Sequence, residues 1–135
     1  MTRVGLRILL LAAVCACLTV PAAAQQTPAK PDWKEGFKIH DTNHDGKIDR
    51  GEFQEWMVDV FFLRDQNHKG YLVYEDVKDA MTPENFKAHD KNGNGKIPLQ
   101  EFLNATFQDF AAADVRGNGT LTVEEIQAYI SRPNK

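Results

Sequence analysis

Between Asp41 and Glu52 the chain sets oxygen-bearing residues at a fixed stride: Asp41, Asn43, Asp45, then Asp49 and Glu52, with Gly46 at the centre. Side chains of this kind, with the backbone carbonyl of Lys47, supply hard oxygen donors and no soft ones. A Ca²⁺ ion takes about six to eight such oxygens at about 2.3–2.6 Å, and a twelve-residue loop is long enough to wrap them around it. In that arrangement Asp41, Asn43 and Asp45 offer side-chain oxygens and Lys47 its carbonyl. Asp49 acts directly or through a water, and Glu52 closes the shell with both oxygens. Gly46 permits the turn with positive φ that a Cβ resists. The stretch satisfies D-x-[DN]-x-[DN]-G-x5-E at every constrained position, so its signal is specific.

A second stretch, 90–101, satisfies the same pattern with Asp90, Asn92, Asn94, Gly95, Lys96 and Glu101. Pro98 falls at its ninth position, where a water must serve. It carries two carboxylates where the first stretch has four, which implies weaker binding. Two further stretches are degenerate. In 65–76, Lys69 puts a cation where an oxygen is needed, Val73 has no donor, and Asp76 is one methylene shorter than glutamate. In 114–125, Arg116 takes the third position, although Asp114, Asn118, Thr122 and Glu125 remain. An ion pair from Arg116 to Asp114 or Glu125 is expected there in place of a metal.

These stretches recur every 24 or 25 residues, starting at Asp41, Asp65, Asp90 and Asp114. Each has a Phe four residues before its Asp, a Gly at position six and Ile or Leu at position eight: Phe37, Phe61, Phe86 and Phe110; Ile48, Leu72, Ile97 and Leu121. Such a repeat is one supersecondary unit used several times. Between the first two loops, Phe53, Trp56, Met57, Val60 and Phe61 form one apolar stripe at helical spacing. Phe102, Leu103, Thr106, Phe107 and Phe110 do the same between the last two. In the middle connection Thr82 reads as an N-cap followed by Pro83, which implies two short helices.

On these residues the chain resembles the EF-hand superfamily, specifically exported bacterial proteins with several closely spaced hands. The resemblance spans Trp33 to about Ile130 and implies an all-α fold. Four helix-loop-helix repeats would share helices, and short β-bridges would join their loops in pairs. It implies Ca²⁺ held at loops 41–52 and 90–101. One departure is the spacing, because only Phe53 to Arg64 separate the first two loops. A single helix of about 18 Å must therefore leave one hand and enter the next, placing loops one and two at opposite ends. The expected return of the chain through 77–89 sets loop one beside loop three and loop two beside loop four. Ile48 would then face Ile97, and Leu72 would face Leu121. One end of the molecule would bind calcium while the other stapled the fold.

The first 24 residues have a different character. Arg3 and Arg7 precede an apolar run from Ile8 to Val20, and Ala22-Ala23-Ala24 follows Pro21. That is the pattern of a secretory leader cut after Ala24. The run is short of the about 20 residues that span a bilayer, and Cys17 fits a lipoprotein signal less well. Residues 25–32 have linker composition, leaving 33–132 as the folded domain. Both cysteines, Cys15 and Cys17, lie in the leader, so no disulfide is expected. The whole chain has 16 basic and 19 acidic residues and no basic stripe, which argues against nucleic acid.

The chemistry left open is narrow. The hydroxyl residues lack a paired base and orienter, so no catalytic residue is expected. His40, His44, His68 and His89 show no ligand spacing for zinc or copper. The sequence therefore points to a periplasmic or secreted calcium-binding module or buffer with two competent sites. The alternative is a sensor or adaptor that offers its aromatic helix faces to a protein partner.

Overall fold

The computed structural model describes residues 33–132. The expected leader, 1–24, and linker, 25–32, lie outside the described residues. The described chain is mostly helical. Helix α1 (Trp33–His40) leads through strand β1 (Lys47–Asp49) into α2 (Arg50–Arg64), and then β2 (Tyr71–Leu72) into the short α3 (Tyr74–Val77). Helix α4 (Pro83–His89) follows, then β3 (Ile97–Pro98), α5 (Leu99–Ala113), β4 (Thr120–Thr122) and α6 (Val123–Ser131). Thr82 does cap α4, accepting the Asn85 amide with Pro83 in the first turn. Among the described residues, no helix is long and apolar enough to cross a membrane.

The apolar stripes decide how the two long helices meet. Phe53, Trp56, Met57, Val60 and Phe61 are all buried on α2, as are Phe102 and Phe110 on α5. Leu103 and Phe107 pack against this core half-buried. Phe53, near the start of α2, lies 4.9 Å ring to ring from Phe110 near the end of α5. Phe61, near the end of α2, lies 5.6 Å from Phe102 at the start of α5. The helices therefore run antiparallel, with the aromatic pairs in edge or tilted contact as ring quadrupoles favour.

This corrects the expected loop pairing. Strand β1 pairs antiparallel with β4, setting Ile48 opposite Leu121, and β2 pairs with β3, setting Leu72 opposite Ile97. Loop one thus lies beside loop four and loop two beside loop three. Position eight does face position eight, but with the other partner. The physical reason is chain length. Pairing loop one with loop three would require the connection to return along all of α2, about 22 Å at 1.5 Å per residue. Much of that connection is wound into α3 and α4, so a local reversal is the shorter route. As a result, each end of the molecule holds one loop with a full oxygen set and one degenerate loop.

Helix α1 closes the core by laying Gly36 against Trp56. A Cβ at Gly36 would stand 2.7 Å from the Trp56 ring, which is itself fully buried and stacked on His40. Alanine gains about 1 kcal/mol of helix propensity, but overpacking a fixed ring costs about 1–3 kcal/mol. Gly36→Ala is thus expected to lower the midpoint of denaturant unfolding, and an unchanged or higher midpoint would show that the ring can move aside.

Candidate metal centres

The four loops share one backbone plan. In each, the amide of the opening Asp closes the last turn of the preceding helix on the carbonyl of the buried Phe, at 2.8–2.9 Å. Position four is left-handed throughout: His44 (φ 57), His68 (φ 51), Gly93 (φ 69) and Gly117 (φ 65). Position six is a glycine with φ between 76 and 79. The carboxylate of the opening Asp then gathers the turn. Gly46, Gly70, Gly95 and Gly119 donate their amides to its Oδ2 at 2.7–3.0 Å. The residues before them donate to Oδ1 at 2.9–3.2 Å. An added Cβ at Gly95 would meet nothing within 4 Å, so only the backbone conformation resists it. Gly95→Ala should therefore cost about 1–2 kcal/mol, read as a lower unfolding midpoint in chelator.

The sequence-selected donors of loop one are brought to one turn, but they are engaged with the loop itself. Asn43 Oδ1 accepts the Asp45 amide, and Asp45 Oδ1 accepts the Lys47 amide, both at 2.9 Å. Asp49 caps α2, taking the amides of Gly51 and Glu52. The Glu52 carboxylate accepts the Thr42 amide and hydroxyl at 2.9 Å, the Asn43 amide at 3.3 Å and the Asp49 amide at 3.1 Å. Burial pushes the Glu52 carboxyl up, but the Asp49, Thr42 and Asn43 donors outweigh it and hold it below the ordinary glutamate range. A carboxyl depressed in the fold contributes stability above its unfolded pKa and loses it as pH falls through the folded value. In chelator, Glu52→Gln should therefore flatten the loss of stability that acid imposes from the glutamate range downward, as followed by thermal melts.

Loop three repeats the turn: Asn92 Oδ1 accepts the Asn94 amide and Asn94 Oδ1 the Lys96 amide. Its closing Glu101 differs from Glu52. Oε1 accepts only the Asn92 side-chain amide at 3.1 Å, and Oε2 is buried without a partner.

In the other two loops a side-chain cation stands among the donors. The Lys69 ammonium is 3.4 Å from Asp65 and 3.1 Å from Asp76, so it bridges the first and last residues of loop two. Asp65 is fully buried. Burial raises its carboxyl, but the amides of Lys69 and Gly70 and the Lys69 ammonium hold it below the ordinary range. Lys69→Met would leave that carboxylate without its counter-charge, and a lower melting midpoint in chelator is the expected outcome. In loop four the exposed Arg116 sits 3.7 Å from the buried Glu125, so its ion pair is with Glu125. Sequence reasoning found both cations, but not how firmly Lys69 is seated.

A family model for an EF-hand domain pair matches residues 30–107, which contain the first three loops whole. The chain belongs to the EF-hand family. A search of curated proteins returned no match. EF-hand domains bind Ca²⁺, and the donors here can be tested against that ion. Among the described residues no three His, Cys, Asp or Glu side chains are gathered as a metal cluster. That agrees with the geometry: loop three offers two carboxylates among amide oxygens, and Glu52 is turned onto its own loop. Loops 41–52 and 90–101 would fit such an ion by their oxygen donors, and in the second of them Glu101 Oε2 is buried without a hydrogen-bond partner. Loop 65–76 does not fit, because its ammonium already neutralises the two carboxylates. Of the histidines, His40 stacks on Trp56 and His89 bonds the Asn85 carbonyl at 2.7 Å.

Proposed function

We propose that this is an exported calcium-binding protein of four EF-hands, two of them competent, acting as a calcium-stabilised module or buffer. The competent loops are 41–52 and 90–101, and the leader-like segment 1–24 directs export. One observation carries the reading: each strand pair joins a loop with a full oxygen set to a loop holding its own side-chain cation. Asp41, Asn43, Asp45, Asp49, Glu52 and the Lys47 carbonyl hold the ion in loop one. Asp90, Asn92, Asn94, Glu101 and the Lys96 carbonyl hold it in loop three. A bound Ca²⁺ would supply the positive charge that offsets these carboxylates, and Glu52, which accepts the Thr42, Asn43 and Asp49 amides, would close the shell of loop one.

The packing of the core supports the module reading. The aromatic stripes that a sensor would offer a partner are instead packed between α2 and α5. The exposed apolar side chains Ile39, Phe62, Leu63 and Val115 support the sensor alternative. Thermal melts and hydrophobic-dye fluorescence, each with calcium and with chelator, separate the two. A module gains melting temperature on calcium and no dye signal. A rise in dye fluorescence on calcium would favour the sensor, and no effect on either readout would remove calcium from the function.

A further inference from the structure

In three of the four loops the amide at position nine donates to the closing carboxylate. Asp49 donates to Glu52 Oε2 at 3.1 Å, Val73 to Asp76 Oδ2 at 2.9 Å, and Thr122 to Glu125 Oε2 at 3.0 Å. Loop three has Pro98 there, which carries no N–H. Its backbone has the same extended conformation (φ −68, ψ 161) as Asp49 (−80, 176) and Thr122 (−90, 165). Only the donor is missing. The matching oxygen, Glu101 Oε2, is left buried without a partner; the other closing-carboxylate oxygen without a hydrogen bond among the described residues, Glu125 Oε1, has the Arg116 guanidinium 3.7 Å away. Pro98 also gives α5 no side-chain cap, whereas Asp49 and Thr122 cap α2 and α6.

We propose that Pro98 primes loop three for calcium: by withholding the position-nine amide it leaves Glu101 Oε2 uncommitted. This rests on the reading that loop 90–101 binds Ca²⁺. A buried carboxylate oxygen without a donor raises the energy of the calcium-free state. Ligation then satisfies Oε2 with no bond to break at that oxygen, leaving only the Asn92 side-chain amide engaged, on Oε1. Glu52 starts with four donors on its two oxygens, three on Oε1 and one on Oε2, and ligation competes with them. Pro98 thereby offsets part of the deficit that loop three has in carboxylates.

The test is Pro98→Ala, which adds an N–H at a backbone angle that alanine adopts without strain. With calcium chelated, the amide introduced at position 98 should exchange slowly with solvent, and those of Asp49 and Thr122, which donate to their closing carboxylates, are the expected reference. Calcium titrated into the Glu52→Gln background, where loop three binds alone, should then bind about tenfold or more weakly, since a charge-assisted hydrogen bond must be broken. Loop one, titrated in the Glu101→Gln background, should be unaffected. A fast-exchanging amide at 98, or an unchanged affinity, overturns the proposal and leaves calcium binding at loop three intact. If loop three of the unsubstituted protein takes no calcium, the site reading falls and the proposal falls with it.

Discussion

Phe53→Ala is expected to remove about 3–5 kcal/mol of stability, the range for truncating a buried aromatic ring. Phe53 is fully buried and touches both Phe107 and Phe110 on the opposing helix. Those rings are fixed at helical spacing on α5 and cannot collapse into the space. For a domain of this size the total stability is on the order of 5–15 kcal/mol, so the loss is a large share of it. The strand pair β1·β4 lies at the same end of α2, so loop one should loosen as well. Urea unfolding in chelator measures the loss. A change below about 1 kcal/mol would mean that the α2–α5 contact is not the centre of the fold.

The sequence carried the parts of this architecture that are local. Phe four residues before each Asp, Gly at position six and the apolar residue at position eight each act within one turn or one strand. The structure places all of them as their spacing implies: Phe37, Phe61, Phe86 and Phe110 are buried, and so are Ile48, Leu72, Ile97 and Leu121. The stripe on α2 was legible for the same reason, since helical periodicity is a property of one segment. Loop pairing was not. Ile48, Leu72, Ile97 and Leu121 are near-equivalent apolar residues, so position eight of any loop can face position eight of any other. The choice depends on how much chain α3 and α4 consume between loops two and three, a tertiary quantity that no residue at position eight records. The orphaned oxygen of Glu101 did have a sequence signal. Pro98 removes an amide, and only knowledge that position nine donates to position twelve turns that into a consequence.

Glu52→Gln should weaken calcium binding at loop one by about 100-fold or more. Outer partners of metal ligands alone are worth about 10–100-fold in affinity, and this substitution removes a charge from the ligand shell itself. Glutamine keeps the size of the side chain, and its oxygen can still accept the Thr42 and Asn43 amides. The calcium-free fold should therefore survive while the site is lost. Glu101→Gln should do the same at loop three and leave loop one intact. Because loops one and three lie on different strand pairs, neither variant should alter the other site by more than about twofold. Strong coupling between them would point to a structural link through α2 and α5.

On the proposed reading, two of the four loops bind calcium, one at each end of the molecule. Calorimetric titration of the metal-stripped protein with Ca²⁺ tests it most directly. Two equivalents per chain are the expected result. No binding at millimolar calcium would contradict it, and so would three or four equivalents, which would require Lys69 or Arg116 to yield its place to the ion.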